Sequence, residues 1–320
     1  MTTSRRGLRW WVTTVGIPAT ILGAFAVYLT TRREELAALG DVPASSLLLV
    51  AALAAFAHFL NSLEFRVLYR AVGTHVGVTE NWMLYTAGQV GNHLPAQLGT
   101  VYRFRYLKAV HSLSYASATA AYGANFVITV LATGVAGLTG CLLLGLSEGT
   151  WSLLLTGGLV GLVVVSTTAS LLPLPRWGAE SRVGRAWAGI GKGWDSVRTD
   201  RTAAATVLGI ELTRYALTAW RLQITFGWLD YDEPYGFFLV IGPVAALATF
   251  IGLTPAGLGL RELTIAASAV MLGRTFDAGL LGSTTDRAIN LAVVTVFGLI
   301  GLLYTSHRLQ GAGVADPETA

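Results

Sequence analysis

Two short stretches of similar sequence decide the fold. Residues 95–99 read Pro-Ala-Gln-Leu-Gly, and residues 255–259 read Pro-Ala-Gly-Leu-Gly. Proline breaks a helix because it lacks a backbone donor and clashes with the preceding turn, and glycine allows close backbone approach. Each stretch lies inside a longer apolar segment, Trp82–Lys108 or Gly236–Leu272. We therefore predict two helical hairpins that enter the membrane, turn at the Pro/Gly stretch and leave on the same side.

The second hairpin has an alternative. The two arms of the first segment are each about a dozen residues long, which is too short to cross a bilayer, since a span needs about 20 residues. Residues 236–254, in contrast, are numerous enough to cross fully. In that case residues 236–272 form two full spans, and the second Pro/Gly stretch lies at the cytoplasmic face.

The composition around these hairpins is typical of a membrane protein. Hydrophobic residues make up 53% of the chain and charged residues only 12%, against roughly a quarter charged in soluble domains. We predict an all-α, polytopic membrane protein with two re-entrant hairpins and about six full spans. The predicted spans are Trp10–Leu29, Ser46–Phe65, Ser117–Leu144, Trp151–Pro173, Ala203–Leu229 and Ile289–Tyr304 with its preceding turn.

The order of these elements predicts an internal repeat. Residues 1–146 read as span, span, hairpin, span, and residues 151–304 read the same way. Three full spans in each half place the halves in opposite orientations, which is the inverted-repeat architecture of many transporters. We predict one membrane domain over residues 1–310, followed by a short polar tail over 311–320.

The distribution of positive charge predicts the topology. Of the 22 Lys and Arg residues, fifteen fall in one set of loops and only three in the opposite set. Because cytoplasmic loops carry the excess of positive charge, we expect both termini and the basic loop 174–202 in the cytoplasm of a prokaryote, with the chain in its plasma membrane. The apolar stretch of the first span is longer than a typical signal-peptide core and lacks a clear cleavage site, so we expect it to be retained.

The residues expected to contact a substrate lie at the two turns and at membrane depth. A helix that begins after Gly259 presents free N–H groups to an anion, and an arginine guanidinium is suited to a phosphate. Charges at membrane depth are costly unless they face a polar interior. Glu211 and Arg214 can pair on one helix, and Asp286 can lie at the membrane interface. The predicted substrate-binding residues are Asn92, Pro95, Gly99, Arg103, Pro255, Gly257, Gly259, Arg261, Glu262, Arg221 and Arg287.

No catalytic, metal or cofactor site is predicted. The chain contains one cysteine, Cys141, and no HExxH motif, Asp-x-Asp pair or nucleotide-binding glycine loop. We interpret His58 and Asn61 as part of a polar cluster at the bilayer interface. The net charge of +4 follows the loops, so we expect no binding of nucleic acid.

The two turns resemble those of a known family. Asn92, Leu94, Pro95, Gly99 and Arg103, together with the stretch Thr254–Glu262, are similar to the signature turns of the lysylphosphatidylglycerol synthase transmembrane-region family. These flippase-like proteins are related to the membrane half of the multiple peptide resistance factor. The resemblance covers nearly the whole chain and implies movement of a lipid with a charged headgroup between leaflets. No segment resembles the aminoacyl-transferase domain of the full synthases, so we expect no synthesis of lysylphosphatidylglycerol.

Three functions are therefore compatible with the sequence. The first is a lipid flippase or transporter without enzymatic activity, whose partner is a phospholipid or a polyprenyl phosphate. The second is a membrane-embedded transferase that acts on a lipid phosphate. The third is a non-transporting membrane subunit of a lipid or glycan pathway.

Overall fold

The described part of the chain is helical throughout. A computed structural model describes residues 38–93, 98–173, 182–249, 257 and 259–311, and these contain ten α-helices and no strand. A short 3-10 helix, Ala38–Asp41, precedes the first of them. The predicted span Trp10–Leu29 and the tail 312–320 lie outside the described residues.

The ten helices follow one another with short connections. Their bounds are α1 Ala44–Ala71, α2 Val78–Asn92, α3 Leu98–His111, α4 Tyr115–Glu148, α5 Leu153–Leu171, α6 Arg182–Thr199, α7 Arg201–Gly227, α8 Tyr235–Ala248, α9 Leu260–Met271 and α10 Phe276–Gly311.

Four helices are long and apolar enough to cross a membrane, and they confirm a helical membrane protein. They are α1, α4, α5 and α10, the last over Phe276–Gln310. The helix α7 has 27 residues, or about 40 Å at 1.5 Å per residue, but it carries three charged residues in its interior. The predicted span Ile289–Tyr304 was too short, because α10 continues toward its amino end through Ser, Thr, Asp and Arg residues that are buried inside the protein.

Local sequence signals set several helix ends. The hydroxyl of Ser114 accepts a hydrogen bond from Ser117 N at 3.0 Å and begins α4, and the carboxylate of Asp200 accepts one from Ala203 N at 2.9 Å and begins α7. Such side chains satisfy N–H groups that have no partner within the helix. At the other end of α4, Gly149 adopts the left-handed conformation (φ 69°) that ends many helices.

The two predicted hairpin segments each contain a pair of packed helices, α2 with α3 and α8 with α9. In the first pair, Gly91 faces Gly99 so closely that a Cβ on Gly91 would lie 2.6 Å from the Gly99 Cα. Glycine at these positions lets the two backbones touch, as small residues do in membrane helix pairs. The connections 94–97 and 250–256 lie outside the described residues.

Each helix pair packs against the last long helix of the other half of the chain. The helix α2 packs along α10, and α8 packs along α4, while α1 packs against α7 between them. The contact of α8 with α4 is close, since Gly236 meets Gly140 backbone to backbone. The two halves therefore form one helical body rather than two separate bundles.

In each helix pair, an ion-pair cluster links the start of the first helix to the end of the second. The Glu80 cluster joins the start of α2 to the ends of α3 and α10: the Glu80 carboxylate accepts hydrogen bonds from Tyr106 Oη at 2.7 Å and contacts His111 Nε2 at 3.0 Å and Arg308 Nη1 at 3.2 Å. The pKa of Glu80 is raised by burial, but the Tyr106 and His111 hydrogen bonds and the nearby positive charges outweigh burial and hold it below its usual range.

The Arg274 cluster plays the same part for the second pair. Arg274 follows α9 and contacts Glu233, just before α8, at 2.6 Å and Glu148, at the end of α4, at 2.7 Å. Arg274 precedes α10 and Arg308 lies near its end, so the two clusters lie at opposite ends of that helix. The first and last residues of each helix pair therefore share one end of the bundle.

The basic segment 174–202, which connects two predicted spans, contains a helix. This helix, α6, packs against the start of α4 and the end of α1: Gly189 and Gly193 meet Ala116 and Ala120. Trp194 Nε1 also donates to the Leu172 carbonyl oxygen at the end of α5 at 3.3 Å. The sequence pattern predicted no helix in this segment, and its buried residues Trp194 and Val197 pack it on the bundle.

The Glu80 cluster predicts a pH-dependent contribution to stability. Glu80→Gln should lower the apparent melting temperature by about 2–4 °C near pH 7, since roughly 1 kcal/mol is lost with the charged hydrogen bonds. Because the folded-state pKa of Glu80 is lowered, this contribution is complete above the unfolded value of about 4.3 and is lost as the pH falls through the folded value.

Thermal unfolding of the detergent-solubilised protein between pH 3 and 7, followed by tryptophan fluorescence, tests this. The exposed Asp232→Asn variant is the control. A Glu80→Gln deficit that stays constant over the whole range would contradict the role of the carboxylate charge.

Candidate functional site

A polar cavity lies where the helices of the two halves meet. Its volume is about 250 Å³, and its wall is formed by side chains from α1, α2, α3, α4, α7, α8, α9 and α10. Within the described residues, no group of three or more His, Cys, Asp or Glu side chains is placed to hold a metal ion. The wall is instead dominated by arginines and amides: Arg103, Arg214, Arg221, Arg261, Arg287, Asn61, Gln89, Asn92, Asn125 and Asn290.

Asp286 holds two of these arginines. Its carboxylate accepts hydrogen bonds from Arg221 Nε at 2.6 Å and Nη2 at 3.2 Å, and from Arg261 Nη2 at 3.0 Å. The Asp286 side chain is completely buried. These bonds connect α7, α9 and α10, so Asp286 positions two guanidinium groups on the cavity wall.

Glu262 organises the start of α9. Its carboxylate accepts a hydrogen bond from Gly259 N at 2.8 Å, which caps the helix, and contacts Arg287 Nη1 at 3.4 Å and Arg261 Nη1 at 3.7 Å. Gly259 adopts φ 78°, a conformation that favours glycine. The backbone turn, the helix cap and two arginines are therefore connected through one carboxylate.

A third cluster surrounds Arg214 on α7. Arg214 donates to both oxygens of Glu211, with Nε to Oε2 at 2.8 Å, and its Nε lies 3.8 Å from Glu64 Oε1. The Asn125 amide on α4 donates to Glu64 Oε2 at 3.1 Å. Glu64 and Glu211 are both fully buried and lie behind the wall that Arg214 and Asn125 form.

Arg103 differs from the other four arginines. It is 3% exposed, and its guanidinium lies 4.0 Å from the ring centre of Phe65 and 5.3 Å from that of Tyr85. Its Nη2 donates to Tyr69 Oη at 3.1 Å. Among the described residues, no carboxylate forms an ion pair with it. The aromatic faces stabilise the cation through their quadrupoles but leave its charge uncompensated.

The charges around the cavity therefore leave a positive excess. Four of the five arginines, all but Arg103, contact the carboxyl groups of Glu64, Glu211, Glu262 and Asp286. With all four carboxyl groups ionised, these nine side chains together carry a net charge of +1. In an interior of low dielectric constant, such an excess attracts an anion strongly.

The structure brings together five of the eleven residues predicted to bind substrate. Asn92, Arg103, Arg221, Arg261 and Arg287 line the cavity. Glu262 lies behind them, and Gly257 and Gly259 form the turn before α9 with positive φ. Gly99 packs against Gly88 and Gly91 rather than on the cavity wall. Pro95 and Pro255 lie outside the described residues.

The structure places three polar residues more specifically than the sequence did. His58 and Asn61, interpreted as part of a polar cluster at the bilayer interface, line the cavity, and His58 Nε2 contacts Asn290 Oδ1 at 3.0 Å. Asp286, for which the sequence allowed a partner charge or the interface, is buried between Arg221 and Arg261. Position along the chain does not show which face of a helix meets the protein interior.

The sequence interpretation missed the amides Gln89, Asn125 and Asn290 on the cavity wall. Asn125 and Asn290 each lie in a mainly apolar stretch of a long helix, and Gln89 lies one turn before Asn92 on α2. Polar groups within membrane segments usually face the bundle interior, so this signal was present in the sequence. The pairing of Glu211 with Arg214, in contrast, is confirmed.

Comparison with known proteins identifies related sequences. A family described as the lysylphosphatidylglycerol synthase TM region matches residues 10–298. A UPF0104 membrane protein of Methanothermobacter thermautotrophicus is 26% identical over 117 residues, which are 37% of this chain and 33% of that protein. The matched region thus spans about a third of that relative's length.

The buried Asp286 predicts a large effect on stability. Asp286→Asn removes the negative charge between two buried guanidinium groups, and breaking a buried pair by removing one partner typically costs about 3–5 kcal/mol. We expect a much lower melting temperature and reduced yield of monodisperse protein in size-exclusion chromatography. Asp232→Asn, which neutralises an exposed aspartate, is the matched control, and equal melting temperatures of the two variants would contradict the role given to Asp286.

Proposed function

Because this chain belongs to the family of the lysylphosphatidylglycerol synthase TM region, we propose that it moves a lipid with an anionic headgroup between the leaflets of a prokaryotic plasma membrane. The headgroup occupies the arginine-lined cavity, and the acyl chains remain in the bilayer. The chain itself performs no covalent chemistry in this proposal. The partner is a membrane lipid that carries a phosphate group.

The single observation that carries this proposal is the environment of Arg103. A buried charge without a counter-charge is costly, yet Arg103 has only aromatic and hydroxyl partners among the described residues. A lipid phosphate would supply the missing negative charge and accept the hydrogen bonds that guanidinium groups donate. Arg261 and Arg287 on the same wall would contact the same group.

The volume of the cavity favours a headgroup over a whole lipid. About 250 Å³ is less than the roughly 300–1,000 Å³ of pockets for drug-sized ligands. The surrounding amides offer both donors and acceptors, which suits hydroxyl groups beside the phosphate. The long acyl chains would therefore lie outside the cavity, against the apolar outer faces of the helices.

The arrangement of the cavity wall supports an inverted repeat. Ala57, His58 and Asn61 of α1 line the cavity, and so do Arg214, Tyr215 and Thr218 of α7, each 157 residues later. The same offset relates three further pairs of lining residues, from α2 and from the end of α8: Tyr85 with Gly242, Gln89 with Ala246, and Asn92 with Thr249. A repeated register of this kind favours two structurally equivalent halves that share one central site.

The ion-pair clusters support re-entrant hairpins. In each helix pair the first and last residues lie at the same end of the bundle, the Glu80 cluster for α2 and α3 and the Arg274 cluster for α8 and α9. With the amino terminus in the cytoplasm, the Glu80 cluster is cytoplasmic and the Arg274 cluster external. An external Arg274 is then compatible with the excess of positive charge in cytoplasmic loops, because Glu148 and Glu233 neutralise this arginine.

This topology predicts the accessibility of four introduced cysteines. In a Cys141→Ala background, Thr79→Cys and Lys108→Cys flank the first hairpin, and Asp232→Cys and Thr275→Cys flank the second; all four positions are exposed. We expect a membrane-impermeant maleimide to label the second pair in intact cells and the first pair only in inverted vesicles. Labelling of Asp232→Cys and Thr275→Cys from opposite sides would contradict the second hairpin and favour two full spans.

Transport itself is tested by leaflet exchange in proteoliposomes. With fluorescent phosphatidylglycerol, Arg103→Ala should slow exchange roughly tenfold to a hundredfold, because about 1.5–3 kcal/mol of charged hydrogen bonding is lost. Arg105→Ala is the matched control, since Arg105 lies on the same helix but is exposed. Exchange rates of Arg103→Ala equal to those of Arg105→Ala would overturn the proposed site.

The same purified protein also distinguishes transport from the transferase and subunit functions. Product formed from a lipid phosphate and an activated sugar, without leaflet exchange, would favour the transferase. A stoichiometric protein that co-purifies with an inactive chain would favour the subunit.

A further inference from the structure

We propose that Glu64 and Glu211 hold one exchangeable proton between them, and that this proton binds cooperatively with the anionic headgroup. The inference rests on the proposed function, because the cavity anion is the second partner of the coupling. It adds a proton-binding site behind the cavity wall and a means by which a proton gradient drives lipid movement.

The geometry of the two carboxyl groups is the first argument. Glu64 and Glu211 come from adjacent helices, are fully buried, and both contact the guanidinium group of Arg214. Two ionised carboxylates beside one guanidinium group repel each other, whereas one proton on the pair removes this repulsion and supplies a hydrogen-bond donor. The buried pair is therefore more favourable when it carries a proton.

The hydrogen-bond inventory identifies the oxygen involved. Glu64 Oε2 accepts the Asn125 amide at 3.1 Å, and both Glu211 oxygens accept hydrogen bonds from Arg214. Glu64 Oε1 is buried and accepts no hydrogen bond from any described residue. A proton on Glu64 Oε1 would satisfy this atom as a donor to Glu211.

The charge balance is the second argument. Arg214 supplies one positive charge beside the two carboxyl groups, so the cluster is neutral with one proton bound and carries a charge of −1 without it. Arg214 also lines the cavity. Loss of the proton therefore places an additional negative charge directly behind the site where the headgroup anion binds.

The other groups near the pair include one positive charge and two histidines. Arg103 on α3 lies against Phe65 and Tyr69 of α1, so an unprotonated Glu64–Glu211 pair attracts the cation that would otherwise hold the headgroup. His58 on α1 and His93 after α2 line the same cavity.

The remaining elements packed against α1 present no free charge to the pair among the described residues. On α7, Tyr215 is hydrogen-bonded to Thr133, α4 presents the Asn125 amide, and Asp286 and Arg287 on α10 belong to the other ion pairs. Substitution of Glu64 separates a proton on this pair from one on the histidines.

Thermodynamic linkage then fixes the direction of coupling. If the proton favours the anion, the anion favours the proton by the same factor. A phosphodiester keeps its charge between pH 5 and 9, so any pH dependence belongs to the protein. Lipid and proton would therefore move in the same direction, and a proton gradient would drive net transfer of the lipid.

Titration calorimetry tests this on the full chain in detergent, with dihexanoyl phosphatidylglycerol as the soluble anion. Measurements in buffers of different ionisation enthalpy yield the number of protons taken up on binding. For the wild-type chain we expect up to about one proton per anion, and a dissociation constant that rises by up to about tenfold per pH unit.

Glu64→Gln is the decisive variant, because a neutral amide imitates the protonated carboxyl. It should bind the anion without proton uptake, with an affinity that does not change with pH and that equals the wild-type affinity at low pH. Glu211→Gln provides a second variant with the same loss of proton uptake, should Glu64→Gln fail to fold. Glu148→Gln, at the external end of α4, is the control and should behave as wild type.

The outcomes separate the two proposals. Anion binding by the wild-type chain without proton uptake, or proton uptake that persists in Glu64→Gln, would overturn the coupling and leave the lipid site intact. No anion binding at any pH would overturn the headgroup site and the coupling with it.

Discussion

The need of buried arginines for nearby anions is the constraint on which the rest of the structure depends. A guanidinium group inside a membrane protein keeps its proton, so its charge is costly unless the chain or a bound anion supplies a partner. Asp286 and Glu262 meet this need for the arginines of α7, α9 and α10. These bonds join three helices of the second half, and the contacts of Arg214 with Glu64 and of His58 with Asn290 connect that half to the first around the cavity.

The same constraint explains why the bundle is closed at its two ends but polar at its centre. The Glu80 and Arg274 clusters join the open end of each helix pair to the end of a long helix. Between these clusters, Gly140 lies close to Gly236 and Gly91 lies close to Gly99. Such close packing holds membrane helices together, because the hydrophobic effect supplies no driving force between helices in lipid. The cavity lies where these contacts leave space, and its wall carries the charge.

Local patterns in the sequence predicted where the helices lie better than they predicted which residues contact one another. Apolar length identified α1, α4 and α5 with ends that differ by at most six residues, and the Pro/Gly stretches indicated the breaks before α3 and α9. The start of α10 was missed because its first turns are polar, and burial against α7 and α9 explains why such residues remain helical. Arg103 and Arg261 were predicted to be at the site from their distance to the turns. The sequence pattern could not show that Asp286 binds Arg261 and Arg221 whereas Arg103 binds no carboxylate of the described residues, since that depends on contacts between distant segments.

The difference between the two halves of the cavity bears on how one site could serve two leaflets in the proposed transport. Glu64 and Arg221 occupy the same position in α1 and α7, 157 residues apart, and Asn125 and Asp286 both stand eleventh in α4 and α10. In the second half the pair is Arg221 with Asp286, in which opposite charges cancel. In the first half it is Glu64 with Asn125, in which the amide cannot neutralise the carboxyl.

Glu64 must therefore share Arg214 with Glu211 or take up a proton, so the titratable site and the uncompensated Arg103 fall in the same half. An inverted repeat with identical halves would offer a headgroup two equivalent positions, whereas under the proposed coupling this asymmetry would make the first half the one in which protonation controls how strongly the anion is held.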